Sequence, residues 1–181
     1  MGQVLLFWYV ECDNNRRKAK RLDTRKMPIP QFDDRGLLPA GVHVCTLTEF
    51  KIWAGSIPNA EHRLMLVEKF ERFLNDIVRP IAPGWPLVID GSFVTDKKLP
   101  NDIDFALDLR DCGDPVVLGE AFFTIFRGNS QNKVSYNVDG YVILPGGNDF
   151  QDFFGYVGQK TGNIKGINEK DRKGTLRVDQ W

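Results

Sequence analysis

Residues 90–108, DGSFVTDKKLPNDIDFALD, constrain the chain more than any other stretch. A short apolar run, Leu87-Val88-Ile89, ends in Asp90 and runs into a Gly-Ser pair, Gly91 and Ser92. Nine residues later Asp102-Ile103-Asp104 opens a second run, DIDFALDL, in which apolar and polar residues alternate. Such a pair of runs reads as two strands joined by a turn-bearing connection. Carboxylates at i and i+2 of a strand point the same way, with Cα atoms roughly 6–7 Å apart, so Asp102 and Asp104 can serve one divalent cation. The Gly-Ser turn offers backbone amides and a hydroxyl to a phosphate. Carboxylates, a cation and a phosphate cradle are the equipment of phosphoryl or nucleotidyl transfer.

The rest of the chain fits one domain of ordinary size. It has 181 residues, 42% hydrophobic and 27% charged, with thirteen Phe and four Trp to fill a core. Formal net charge is zero, so nucleic-acid binding has no global basic field behind it and has to rest on a local patch. The best candidate is the segment 13–26, where Arg16, Arg17, Lys18, Lys20, Arg21, Arg25 and Lys26 cluster; a solvated linker or helix face is the alternative. Cys12, Cys45 and Cys112 show no paired spacing, which disfavours a disulfide framework or a cysteine zinc site and suits a reducing compartment. The apolar run Val4–Val10 is too short to span a membrane and lacks the flanks of a signal peptide. The expectation is a cytoplasmic protein with no membrane partner.

Periodicity predicts the element order. A short helix is expected over 48–53. A longer one follows Asn59, its N-cap, with Leu64, Val67, Phe70, Leu74 and Ile77 on one face. Strands follow at 87–90 and 102–109. A helix is expected over 113–127 around Leu118, Phe122 and Phe126, a third strand over 133–144, an aromatic helix over 149–159, and a last strand at 175–178. Residues 32–43 read as an extended arm. Helix, strand, turn, strand, helix, strand gives an α/β (α+β) domain with a mixed sheet flanked by helices. The division is an N-terminal extension, 1–27, and a domain, 28–181.

A third carboxylate is expected beside the Asp102/Asp104 pair. Asp139 is the candidate, since it interrupts the apolar strand VDGYVI, where a lone Asp needs a cation or hydrogen bonds. Asp108 is the rival but lies roughly 13 Å further along the strand from Asp104. Asp149 and Asp152 sit where a helix cap is ordinary. Lys97 and Lys98 are placed to meet a triphosphate or to be solvated. His43 and His62 have no metal-ligand spacing.

Gly91-Ser92, the nine-residue spacer and Asp102-Ile103-Asp104 together resemble the signature of the nucleotidyltransferase superfamily related to DNA polymerase beta. The wider pattern, from FDDRGLLPAGVH through IDGSFVTDKKLPNDID to RKGTLRV, is similar to a small, functionally uncharacterised bacterial family of nucleotidyltransferase-like proteins. The resemblance implies a minimal nucleotidyltransferase fold, with a strand–turn–helix holding nucleotide phosphates. It implies Ser92 on the phosphates, Gly91 allowing close backbone approach, and Asp102, Asp104 and Asp139 as catalytic ligands of Mg2+ or Mn2+. The implied activity is transfer of NMP from an NTP, ATP first among them, to a hydroxyl of protein, RNA or a small molecule. Minimal members of this kind act in toxin–antitoxin or defence settings, some with a partner protein. The alternative is a non-catalytic nucleotide-binding or interaction module with a degenerate site.

Overall fold

Thr46 caps the first helix of the domain. Its hydroxyl accepts from the Glu49 N–H while the Glu49 carboxylate accepts from the Thr46 N–H, a capping box that starts α1 (Leu47–Ser56) and contributes about 1 kcal/mol. The computed structural model describes residues 29–181, together with the backbone of a two-residue antiparallel pairing between β1 (Trp8–Tyr9) and β2 (Lys20–Arg21). Apart from the backbone of those four residues, the basic cluster over 16–26 and the Val4–Val10 run lie outside the described residues.

Five further strands make one mixed sheet: β3 (Gly41–Thr46), β4 (Leu87–Asp90), β5 (Ile103–Asp108), β6 (Val138–Ile143) and β7 (Gly174–Gln180), in the order β3-β7-β4-β5-β6. The outer pairs β3/β7 and β5/β6 are parallel, and β7/β4 and β4/β5 are antiparallel. The mixed α/β architecture expected from the sequence is therefore present. Two placements were not legible. Residues 41–43, read as the end of an arm, belong to the edge strand Gly41–Thr46. The last strand lies inside the sheet, between β3 and β4.

The sheet has unequal faces. On one, Leu87, Ile89, Ile103, Phe105, Leu107, Val138, Val142, Leu176 and Val178 form the main core. Against it pack Phe50 and Trp53 of α1, Leu66, Val67, Phe70 and Phe73 of α2 (Ala60–Phe73), and Ala121 of α3 (Pro115–Ala121). Phe105 meets Phe70 and Phe73 edge-on at 5.4 Å, geometry that adds to area burial. The opposite face carries a smaller cluster, Val88, Ala106, Ile143 and Phe154, the last from α5 (Phe150–Phe154).

Several element boundaries correct the sequence reading. Asn59 precedes α2 in the left-handed region (φ 60°) and makes no side-chain cap, so its tolerance of positive φ places it there. The buried stripe of α2 is Arg63, Leu66, Val67, Phe70 and Phe73, which keeps Val67 and Phe70 of the expected face and adds Arg63, Leu66 and Phe73 while Leu64 is only half-buried; a π-helical turn that buries Leu74 and packs Ile77 on the core carries the helix on through Val78. The helix expected over 113–127 is α3 plus a π-helical turn, Phe122–Arg127, that buries Ala121 and Ile125 and leaves Phe126 exposed. The aromatic helix expected over 149–159 is α5, and a separate α6 spans Gln159–Lys165.

The largest correction concerns 133–144. Only Val138–Ile143 is strand; α4 (Asn129–Tyr136) takes the first part and ends at Asn137, left-handed at φ 55°. The alternation KVSYN misleads because Val134 is exposed on this helix and buries nothing. Lys133 is thereby carried on a helix above the strand that bears Asp139.

Candidate active site: a row of carboxylates across three strands

The two ladders of β5 set the site. Asp104 stands opposite Asp90 of β4 and opposite Asp139 of β6. Residues in register on neighbouring strands point to the same face, about 4.8 Å apart. Three carboxylates therefore stand side by side on the less covered face, beyond the Val88–Ala106–Phe154 cluster. Asp102, immediately before β5, adds a fourth. Asp90 was not anticipated as a member of the row. Its signal was its position as the last residue of the apolar run, in phase with Val88.

The Gly-Ser turn closes over this row. Gly91 has φ +73°, and a Cβ there would overlap the Asp104 carboxylate. The backbone thus passes directly against Asp104, and only glycine fits both the space and the torsion. Gly91–Val94 is a four-residue 3-10 turn. This departs from the strand–turn–helix that the resemblance implies: with Thr95 extended immediately after it, no helix dipole forms behind the turn. Ser92 is half-buried in it, its carbonyl accepting from the Thr95 hydroxyl at 2.9 Å.

A buried arginine holds the following loop. Arg63, 1% exposed, donates to the carbonyls of Phe93, Thr95 (2.8 Å), Lys97 (2.7 Å) and Pro58 (3.2 Å). Burial lowers its pKa to about 10. Lys97 and Lys98 are exposed on this loop, and among the described residues neither side chain contacts the carboxylates. His43 and His62 each place Nε2 against a backbone carbonyl, of Pro39 at 2.8 Å and of Pro100 at 2.7 Å. Asp149 caps α5 and Asp152 pairs with Arg172 at 3.0 Å, so both have structural work away from the row.

The four carboxylates are not equally provided for. Asp139 accepts from Asn129 Nδ2 at 2.6 Å and from Lys133 Nζ at 2.8 Å, one at each oxygen. Burial pushes its pKa up, but these two partners outweigh burial and hold it below the usual carboxylate range. Lys133 also reaches Asp102 Oδ2 at 2.7 Å; hydrogen bonds to Asp102 and Asp139 raise its own pKa. Asp90 pairs with Lys173, which also donates to the Phe154 carbonyl at 2.9 Å. Burial raises Asp90 against that neighbouring charge. The Asp104 carboxylate has no hydrogen-bond partner among the described residues. Burial, then the charges of Asp102, Asp139 and Asp90, push it up to about 7. Among the described residues, when all are ionised, four carboxylates face two ammonium groups, and two negative charges remain in excess.

This donor set is all oxygen, partly buried and over-charged by the amount one divalent cation carries, which fits Mg2+ or Mn2+. Among the described residues, however, no group of three or more His, Cys, Asp or Glu side chains is placed so that it could hold a metal ion as it stands. The Lys133 ammonium stands between Asp102 and Asp139. Asn129, Lys133, Arg63 and Lys173 were all missed from the sequence. Asn129 and Lys133 did carry a signal, a polar i, i+4 pair, which the strand reading of 133–144 concealed.

Among the described residues no helix is long and apolar enough to cross a membrane. Residues 30–179 match the model of a family of unknown function, DUF6932, and the chain belongs to that family. No curated protein and no solved structure matches the chain.

Proposed function

We propose that this member of the DUF6932 family is a metal-dependent nucleotidyltransferase, transferring NMP from an NTP to an acceptor hydroxyl. The observation that carries the reading is the in-register row Asp90–Asp104–Asp139 with Asp102 beside it and Gly91 packed on Asp104. Structural carboxylates are normally paired off one by one. Here, among the described residues, one carboxylate is left without a partner at the centre of three others.

In this reading Asp102, Asp104 and Asp139 hold Mg2+ or Mn2+. When bound, the ion neutralises phosphoryl oxygens as charge shifts to the leaving group. The chain's own residues do the rest. The Gly91–Ser92 backbone and the Ser92 hydroxyl face the phosphates, and Arg63 keeps that loop in shape from behind. The acceptor hydroxyl attacks the α-phosphorus, its proton passes to a carboxylate of the row, and the bond to pyrophosphate breaks. Positioning and charge complementarity carry such a transfer. ATP is the first donor to try, and acceptors in protein, RNA or a small molecule all fit the scheme.

The test is incubation of the full chain and a cell lysate with Mg2+ and each of four α-labelled NTPs, beside the Asp102→Asn/Asp104→Asn double variant. Label should pass to a macromolecule or small acceptor with wild type and fall to background with the variant. Transfer that survives in the variant overturns the assignment. A second reading has its own observation, the Lys133 ammonium lodged between two of the carboxylates: a module that binds nucleotide without turnover. It predicts saturable NTP binding and no label transfer.

A further inference from the structure

Lys133 is placed by α4 so that one ammonium touches both Asp102 and Asp139, at 2.7 and 2.8 Å. One turn earlier on the same helix, Asn129 grips the same region differently. Its amide donates to Asp139 Oδ1 at 2.6 Å, and its carbonyl oxygen accepts from the Gly140 N–H at 2.8 Å. Asp139 is therefore fixed by Asn129 on one oxygen and neutralised by Lys133 on the other. These two functions are separable, since Asn129 would hold Asp139 in place if Lys133 left.

Lys133 is able to leave. Its side chain is 48% exposed, whereas Asp102 and Asp139 beneath it are 13% and 18% exposed. A lysine stem can carry its charge into water without disturbing the helix. The contrast with Lys173 is direct: that side chain is 4% exposed and tied to both Asp90 and the Phe154 carbonyl. Lys133 is also an incomplete neutraliser. It brings one charge to a cluster that carries more, and among the described residues the Asp104 carboxylate beside it has no partner.

Resting on the reading of these carboxylates as a cation site, we infer that Lys133 is a tethered counter-cation that occupies Asp102 and Asp139 in the cation-free protein and is exchanged for the divalent ion. It sets how much free cation the site requires, and it keeps the carboxylates from repelling one another until the ion arrives. A fixed salt bridge predicts the opposite: there, Lys133 only organises the two aspartates, and its removal loosens them.

Calorimetric titration of the full-length protein with MnCl2, with bound ion counted by electron paramagnetic resonance, separates the two. Lys133→Met should bind Mn2+ about ten-fold or more tightly than wild type, because a competing charge has gone from the same oxygens. Lys133→Arg, which keeps the charge, should bind no more tightly than wild type. Asp104→Asn in the Lys133→Met background should weaken binding again, which locates the ion. Where Lys133→Met folds poorly, Lys133→Gln makes the same comparison without the charge. Unchanged or weaker Mn2+ binding in the neutral variants overturns the inference. If affinity rises as expected but no NTP label is transferred, the exchange stands and the transferase reading falls. If label is transferred while the affinities are equal, only the exchange falls. If neither wild type nor the neutral variants bind Mn2+, both fall.

Discussion

Asp104 and Asp108 lie on the same strand and the same face, four residues apart, Asp104 half-buried and Asp108 buried. At Asp108 the chain supplies two arginines: Arg110 Nε at 2.8 Å and Arg177 Nη1 at 3.1 Å. Burial would raise Asp108, yet the hydrogen bonds and charge of Arg110, with Arg177, hold it below the ordinary value. At Asp104 burial, joined by the charges of Asp102, Asp139 and Asp90, pushes the pKa up to about 7. Burial of a carboxylate is thus common to both ends of β5. What separates them is whether the chain provides the counter-charge itself or leaves it to something else. The first arrangement stabilises a fold; the second costs stability and is a candidate site.

The sharpest way to break this comparison is at Gly91. Its backbone is left-handed and its missing Cβ makes room for the Asp104 carboxylate. Gly91→Ala should destabilise the protein by about 3 kcal/mol, adding left-handed strain to a forced displacement. If Asp104 is the reason for the glycine, Asp104→Ala should recover part of that loss. Chemical denaturation of the two single variants and the double gives the coupling energy. Strict additivity would mean that the turn requires glycine for its torsion alone.

Asp108 tests the other end. Asp108→Ala leaves Arg110 and Arg177 without their shared partner and should cost about 2–3 kcal/mol in denaturant unfolding. The value lies between those of surface and buried ion pairs, because both arginines keep access to water. Nucleotide labelling, referred to folded protein, should be unaffected. A loss of labelling without a loss of stability would move Asp108 into the site.

This division was only half legible in the sequence. Gly91, Ser92, Asp102 and Asp104 announce themselves through a fixed spacing within one stretch of chain, and local patterns survive without knowledge of the fold. Asp139 was readable as an unexplained polar residue in an apolar strand. Its register opposite Asp104 was not, because strand pairing is a long-range property. The same holds for Asp90 beside Asp104 and for Arg177, which arrives on β7 from the far end of the chain. Lys133 was hidden by a local error: a helix whose exposed Val134 buries nothing has no helical hydrophobic stripe to betray it. Arg63 was hidden differently. Three of its four backbone acceptors lie thirty or more residues away and only the folded loop brings them to it.

The smallest expected effect is the most discriminating, because the two ends of β5 should respond to pH in opposite windows. Asp104 has a folded pKa of about 7, above its value of about 4 in the unfolded chain. Between these values the native state binds the extra proton, so stability falls as pH rises from about 4 to 7 and is flat above. Asp108 and Asp139 are lowered in the fold. There the unfolded chain binds more protons, so their contribution is present above about pH 4 and is lost as pH falls below it. Asp104→Asn should therefore raise the stability of the metal-free protein at pH 8 by about 1–2 kcal/mol, a figure reduced for the coupling among the carboxylates. It should flatten the limb between pH 4 and 7 and leave the acid limb in place. Asp108→Asn should flatten part of the acid limb instead. Unfolding of wild type and both variants across pH 3–9, in the presence of a chelator, measures each limb. Added Mg2+ should stabilise wild type at pH 8 but not Asp104→Asn, since a ligand stabilises only the state that binds it. An Asp104→Asn protein less stable than wild type at pH 8 would mean that this carboxylate is satisfied after all, and the distinction between the two ends of the strand would go with it.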